Sequence, residues 1–154
     1  MRFLKKGSVV IAAVMALAAF TAVSASAATG SGSITVTSPT SLTCTFSFTY
    51  SGTLPGTVNA SGVTLNVPPC PSSLSISNIT LVGTGTGSGP ANITAGTVTD
   101  GTTGCVFNLS GANPGTWNST PSPWQASFGP KTIHGNGFPC NLIGITVSSA
   151  TISG

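Results

Sequence analysis

The stretch L-T-C-T-F-S-F-T-Y, Leu42 to Tyr50, decides the fold class. Leu42, Cys44, Phe46, Phe48 and Tyr50 stand at every second position, with Thr43, Thr45, Ser47 and Thr49 between them. Successive side chains of a strand point to opposite faces, so this alternation describes a half-buried β-strand with an aromatic inner face. The same period recurs in Val63, Leu65 and Val67, in Cys105, Phe107 and Leu109, and in Ile145 with Val147. Two runs change phase. Leu74 and Ile76 are followed by Ile79 and Leu81, and Ile145 and Val147 by Ala150 and Ile152. Each slips one residue, at Ser77-Asn78 and at Ser148-Ser149, as a β-bulge requires. Glu is absent, and nothing after the N-terminal leader carries helical periodicity.

Working outward from that strand, an ordered series of landmarks occurs twice. T-G-S-G at Thr29, Cys44, S-G-T-L-P-G-T-V-N-A-S from Ser51, P-P-C at Cys70 and I-S-N-I-T-L-V-G from Ile76 form the first series. T-G-S-G at Thr86, Cys105, S-G-A-N-P-G-T-W-N-S-T from Ser110, F-P-C at Cys140 and V-S-S-A-T-I-S-G from Val147 form the second. Such a series reads as an internal duplication, 29–85 and 86–154, joined through the Gly-, Thr- and Ser-rich run Gly83 to Pro90. Asp100-Gly101 reads as a hairpin turn. Many short strands between turn signals predict an all-β, disulfide-linked β-sandwich, or a barrel-like variant of it. Each half supplies too few strands to stand alone, so both are expected to share one core in a single domain, residues 28–154.

Residues 1–27 have the parts of a secretory signal peptide: cationic Arg2, Lys5 and Lys6, an apolar run from Val9 to Phe20, and Ala25-Ser26-Ala27 as a cleavage site. The apolar run is too short to span a bilayer, and no later segment is long enough. The expected location is therefore secreted, extracellular or on the cell surface. Charged residues make up 3% of the chain, against about 25% in an ordinary domain. Beyond the leader only Lys131 and Asp100 carry side-chain charge, which excludes nucleic acid and anionic membranes as electrostatic partners.

All 4 cysteines lie beyond the leader, and an even number in an exported chain reads as two disulfides. Neighbours in sequence close the smallest loops, giving Cys44 with Cys70 and Cys105 with Cys140. The other two connectivities also respect the duplication, so symmetry alone does not decide. No C-x-x-C occurs and His134 is the sole histidine, so neither a metal nor another cofactor is expected.

Catalysis is poorly provided for. With one Asp and no Glu, paired-carboxylate chemistry is excluded. A Ser-His-Asp arrangement has no G-x-S-x-G to carry it, and Asp100 sits in a turn signal. His134, in I-H-G-N-G, reads as a loop residue. The expectation is a protein that is not an enzyme. Trp117 and Trp124 flank a Pro-rich stretch, with Phe128 just beyond; they read either as a platform for a glycan or apolar ligand or as plugs of the core. The corresponding position in the first half, Val58, favours the core.

The Ala-rich leader, C-T-F-S-F-T-Y-S-G at Cys44 to Gly52, and N-A-S-G-V at Asn59 to Val63 leading to a second Cys resemble the bacterial exported protein activators of alkane oxidation. Where that family has Leu-Pro-Trp after the second Cys, this chain has Ser122-Pro123-Trp124 much later. The resemblance implies a surface-associated, biofilm-linked β protein without catalytic residues.

The uncharged strands Leu42 to Tyr50 and Asn141 to Gly154 lack the Lys and Pro that normally protect sheet edges. They point to a secreted structural, surface or matrix protein that self-associates through uncharged β faces or edges. The alternative is an extracellular module that binds a glycan or apolar ligand through Trp117 and Trp124.

Overall fold

The aromatic strand forms as its alternation dictates. β2 (Ser41–Gly52) buries Cys44, Phe46, Phe48 and Tyr50 and exposes the Thr and Ser between them. The computed structural model describes residues 27–37, 41–120 and 123–154. The signal-peptide reading, residues 1–27, therefore lies outside the described residues except for Ala27.

β2 lies between β1 (Ala28–Thr37) and β3 (Gly56–Leu65), and the sheet continues through β5 (Ile79–Gly83), β6 (Ser88–Ala95), β9 (Gly115–Asn118), β10 (Gln125–Phe128) and β12 (Gly144–Ser153). β12 then pairs with β1, closing a barrel of 8 strands in which every neighbouring pair is antiparallel. β4 (Leu74–Ile76), β7 (Thr97–Asp100) and β8 (Cys105–Asn108) form a separate three-stranded sheet. β11 (Lys131–His134) follows β10 along the same side of β12, pairing with Gly144 to Val147 while β10 pairs with Ala150 to Ser153.

The expected sandwich is thus corrected to a barrel. Closure needs strands that bend and twist, and bulges supply both. Ser148 is the extra residue where Thr35 pairs with Ser149 and Val36 with Val147, at the phase change seen in the sequence. A second bulge falls at Gly62-Val63 of β3, opposite Phe48, with Gly62 at φ 61°. The other phase change, Ser77-Asn78, is not the expected bulge. It transfers the chain from β4 in the small sheet to β5 in the barrel, so Leu74 and Ile76 belong to a different layer from Ile79 and Leu81.

The connector between the proposed halves is the hairpin joining β5 to β6. At the first cysteine of each half the two landmark series part, because Cys44 lies on barrel strand β2 and Cys105 on β8 of the small sheet.

The barrel interior is packed by size matching. Gly30 and Gly32 of β1 lie opposite Phe48 and Phe46, and the absent side chains leave room for those rings. The Trp117 and Trp124 indoles, 2% and 0% exposed, fill the end of the barrel where Trp124 meets Tyr50 edge-on at 5.4 Å. The void left among Ile34, Phe46, Ile93, Leu109 and Val147 is about 20 Å³, no more than one water occupies.

Closure also revises the reasoning about edges. β2 is hydrogen-bonded on both sides, by β1 and β3, and β12 by β1 and by β10 with β11. Neither uncharged strand presents a free edge, so neither needs a charged guard.

Candidate functional site: an apolar cavity between barrel and small sheet

Opposite the tryptophan-filled end, the barrel strands and the small sheet do not meet fully. A cavity of about 260 Å³ remains, walled by Ile34 and Val36 of β1, Leu42 and Cys44 of β2, Leu65 of β3 and Ile145 of β12. Leu74 and Ile76 of β4, Val98 of β7 and Phe107 of β8 form the facing wall. Period-two alternation explains this composition, since each strand turns only its inward set toward the gap. The polar residues of the lining are Asp100 and Thr103, which stand with Ile143 at the margin. Thr103 is exposed and Ile143 is 41% exposed, so the wall reaches the molecular surface between them.

The Cys105–Cys140 disulfide holds that margin together. It ties the first residue of β8, just after the Asp100 turn, to the 3-10 turn Cys140–Leu142, with Cα atoms 5.5 Å apart. This half of the expected pairing is formed. Phe138 and Leu142, 83% and 73% exposed, flank the same turn and give it an apolar outer surface.

Cys44 and Cys70 correct the other half of the pairing. Both are buried, and they are free thiols that are not bonded to each other. Loop closure brings the pair together as the short sequence separation implies, while the Cys70 thiol is directed at the Thr45 carbonyl oxygen, 3.8 Å away. Burial first, then the hydrogen bond with Cys70 and its charge, push the Cys44 thiol up to about 12. It is therefore protonated near neutrality, and the cavity wall beside it is uncharged.

Asp100 closes the turn between β7 and β8, a hairpin as expected. Its carboxylate accepts the Thr102 backbone N–H at 2.9 Å and the Thr103 hydroxyl at 2.8 Å. These bonds, the Thr102 backbone N–H foremost, hold its carboxyl below the usual carboxylate range, and no cation contributes to that lowering.

The sequence candidates for ligand stacking lie elsewhere. Trp117, Trp124 and Phe128 are buried in the barrel, so they plug the core and form no platform at the surface. Trp117 Nε1–H donates to the Thr84 carbonyl oxygen at 2.8 Å, whereas the buried Trp124 Nε1–H has no partner among the described residues. His134 is exposed on β11 and Lys131 is exposed at its start. Among the described residues no group of three His, Cys, Asp or Glu side chains is placed to hold a metal, and no helix is long and apolar enough to cross a membrane.

The cavity residues escaped sequence reasoning because they come from seven separate strands. The one local signal was the phase change at Ser77-Asn78, which sends Leu74 and Ile76 out of the barrel. No family model matches the chain, and neither a curated protein nor a solved structure matches it.

Proposed function

We propose that the chain is a non-catalytic, exported β-barrel module that binds a small apolar ligand in the cavity between barrel and small sheet. The single observation that carries this reading is the cavity itself. Ligand sites are concave and mostly apolar with a few placed polar groups. The exposed Phe138 and Leu142 beside the margin suit a ligand that partitions from an apolar phase. A disulfide suits an oxidising compartment, in keeping with the leader-like sequence.

The test is displacement of an environment-sensitive naphthylamine dye from the purified chain by decanol. Binding should be saturable and one to one. It should be lost in Val98→Phe or Leu65→Phe, which fill the cavity, while Ser127→Ala on the outer wall leaves it unchanged. Dye binding that both filling variants retain, with the fold intact, contradicts the proposal.

Self-association as a surface or matrix component is the second reading, and the outer wall favours it. Hydroxyls there run in rows across adjacent strands, with Ser33 bonded to Thr151 and Thr35 to Thr43, each at 2.9 Å, and no charge interrupts them. Contact would then run through faces and not through β2 or β12 edges. Light scattering and negative-stain microscopy across concentration test it: ordered polymer supports it, and a strict monomer at high concentration and low ionic strength removes it.

A further inference from the structure

We infer that the ligand of this cavity is an aliphatic chain with a cationic amine head, and that the site discriminates against fatty acids. The inference rests on the reading of the cavity as a ligand site and specifies its chemistry.

The volume sets the tail. At a share of roughly 30 Å³ per water-sized group, a space of about 260 Å³ holds on the order of nine methylene-sized groups. The walls offer such a tail aliphatic contact from Val36, Leu65 and Val98, with the Cys44 thiol neutral beside them.

Asp100 sets the head. It is the only acidic side chain of the whole sequence, and it stands in the lining of an otherwise apolar cavity. Its charge is held by hydrogen bonds from Thr102 and Thr103, and among the described residues no cation neutralises it. An ammonium at the cavity margin supplies the missing counter-charge and keeps a hydrated side toward solvent. A carboxylate head at the same place meets the like charge of Asp100.

The experiment compares decylamine, decanol, decane and decanoate as competitors for the naphthylamine dye on the purified chain at neutral pH. Wild type is set beside Asp100→Asn, in which the side-chain oxygen still accepts the Thr102 N–H. Decylamine should bind about fivefold more tightly than decanoate. That advantage should vanish in Asp100→Asn. A second measurement needs no variant: in wild type the amine advantage should shrink as salt rises and the affinity of decanol should not. Equal affinity for amine and carboxylate, or tighter carboxylate binding, overturns the head-group inference while leaving the cavity a ligand site. Failure of all four to displace the dye overturns the underlying reading as well.

Discussion

Gly30 of β1 faces Phe48 of β2 across the ladder, and a Cβ on Gly30 would lie 2.5 Å from the ring and 2.7 Å from the Ser153 carbonyl oxygen. Gly32 stands in the same relation to Phe46. The aromatic stripe that defines β2 therefore depends on two positions of its neighbour having no side chain. Gly30→Ala is expected to destabilise the chain by about 1–3 kcal/mol, the usual cost of overpacking, and Gly32→Ala likewise. Urea denaturation reads this directly. Gly104→Ala makes a useful contrast, because nothing lies within 4 Å of its Cβ, although its positive φ of 71° carries a backbone cost of its own.

The two tryptophans separate burial from hydrogen bonding. Both are almost fully buried, but among the described residues only Trp117 has a partner for its indole N–H, the Thr84 carbonyl. Replacement by Phe removes similar volume at each site. Trp117→Phe also orphans a carbonyl, while Trp124→Phe relieves an orphaned donor. Trp117→Phe is expected to be the more destabilising by about 1 kcal/mol, measured as the difference in denaturation free energy.

Much of the fold is legible in the sequence. Alternation in Leu42 to Tyr50 identified the inner face of β2, and the phase changes at Ser77-Asn78 and Ser148-Ser149 marked a layer transfer and a bulge. A period of two reports which side of a strand is buried, though, and not which strand lies beside it. Closure through β1 and β12 joins residues more than a hundred positions apart, Ile34 with Ala150 for example, and no local pattern encodes that. The cavity was hidden for the same reason. Trp117 and Trp124 drew attention as large aromatics, yet size and apolarity are what suit them to plug a barrel end.

The two cysteine pairs are expected to behave differently. The Cys105–Cys140 bond closes a loop with a sequence separation of 35, for which chain entropy predicts about 3–4 kcal/mol of stabilisation. Cys105→Ala/Cys140→Ala should lose that amount in urea. Cys44 should resist alkylation in the native state at neutral pH and react once the chain is unfolded.

The alkaline limb follows from Cys44. Its folded pKa, about 12, lies above the unfolded value of roughly 8.5. The contribution is therefore complete below the unfolded value and is lost as pH rises toward the folded one. Urea midpoints should fall between those values, and Cys44→Ala should flatten part of that slope.

Asp100 gives the opposite sign. Hydrogen bonds from Thr102 and Thr103 lower its folded pKa, so its contribution is present above the ordinary unfolded value of about 3.9 and is lost as pH falls through the lower folded value. The group is largely open to solvent, so the effect is small. Asp100→Asn should flatten the acid limb of the stability profile slightly and leave neutral stability close to wild type.

Whether the gap between barrel and small sheet accepts apolar matter is read from a crystal structure of the chain under xenon pressure. Apolar cavities stay dry and take up xenon, whereas polar ones hold hydrogen-bonded water. A xenon atom is expected between Val36, Leu65, Val98 and Phe107. A gap closed by side-chain collapse, or filled with ordered water and free of xenon, would contradict it.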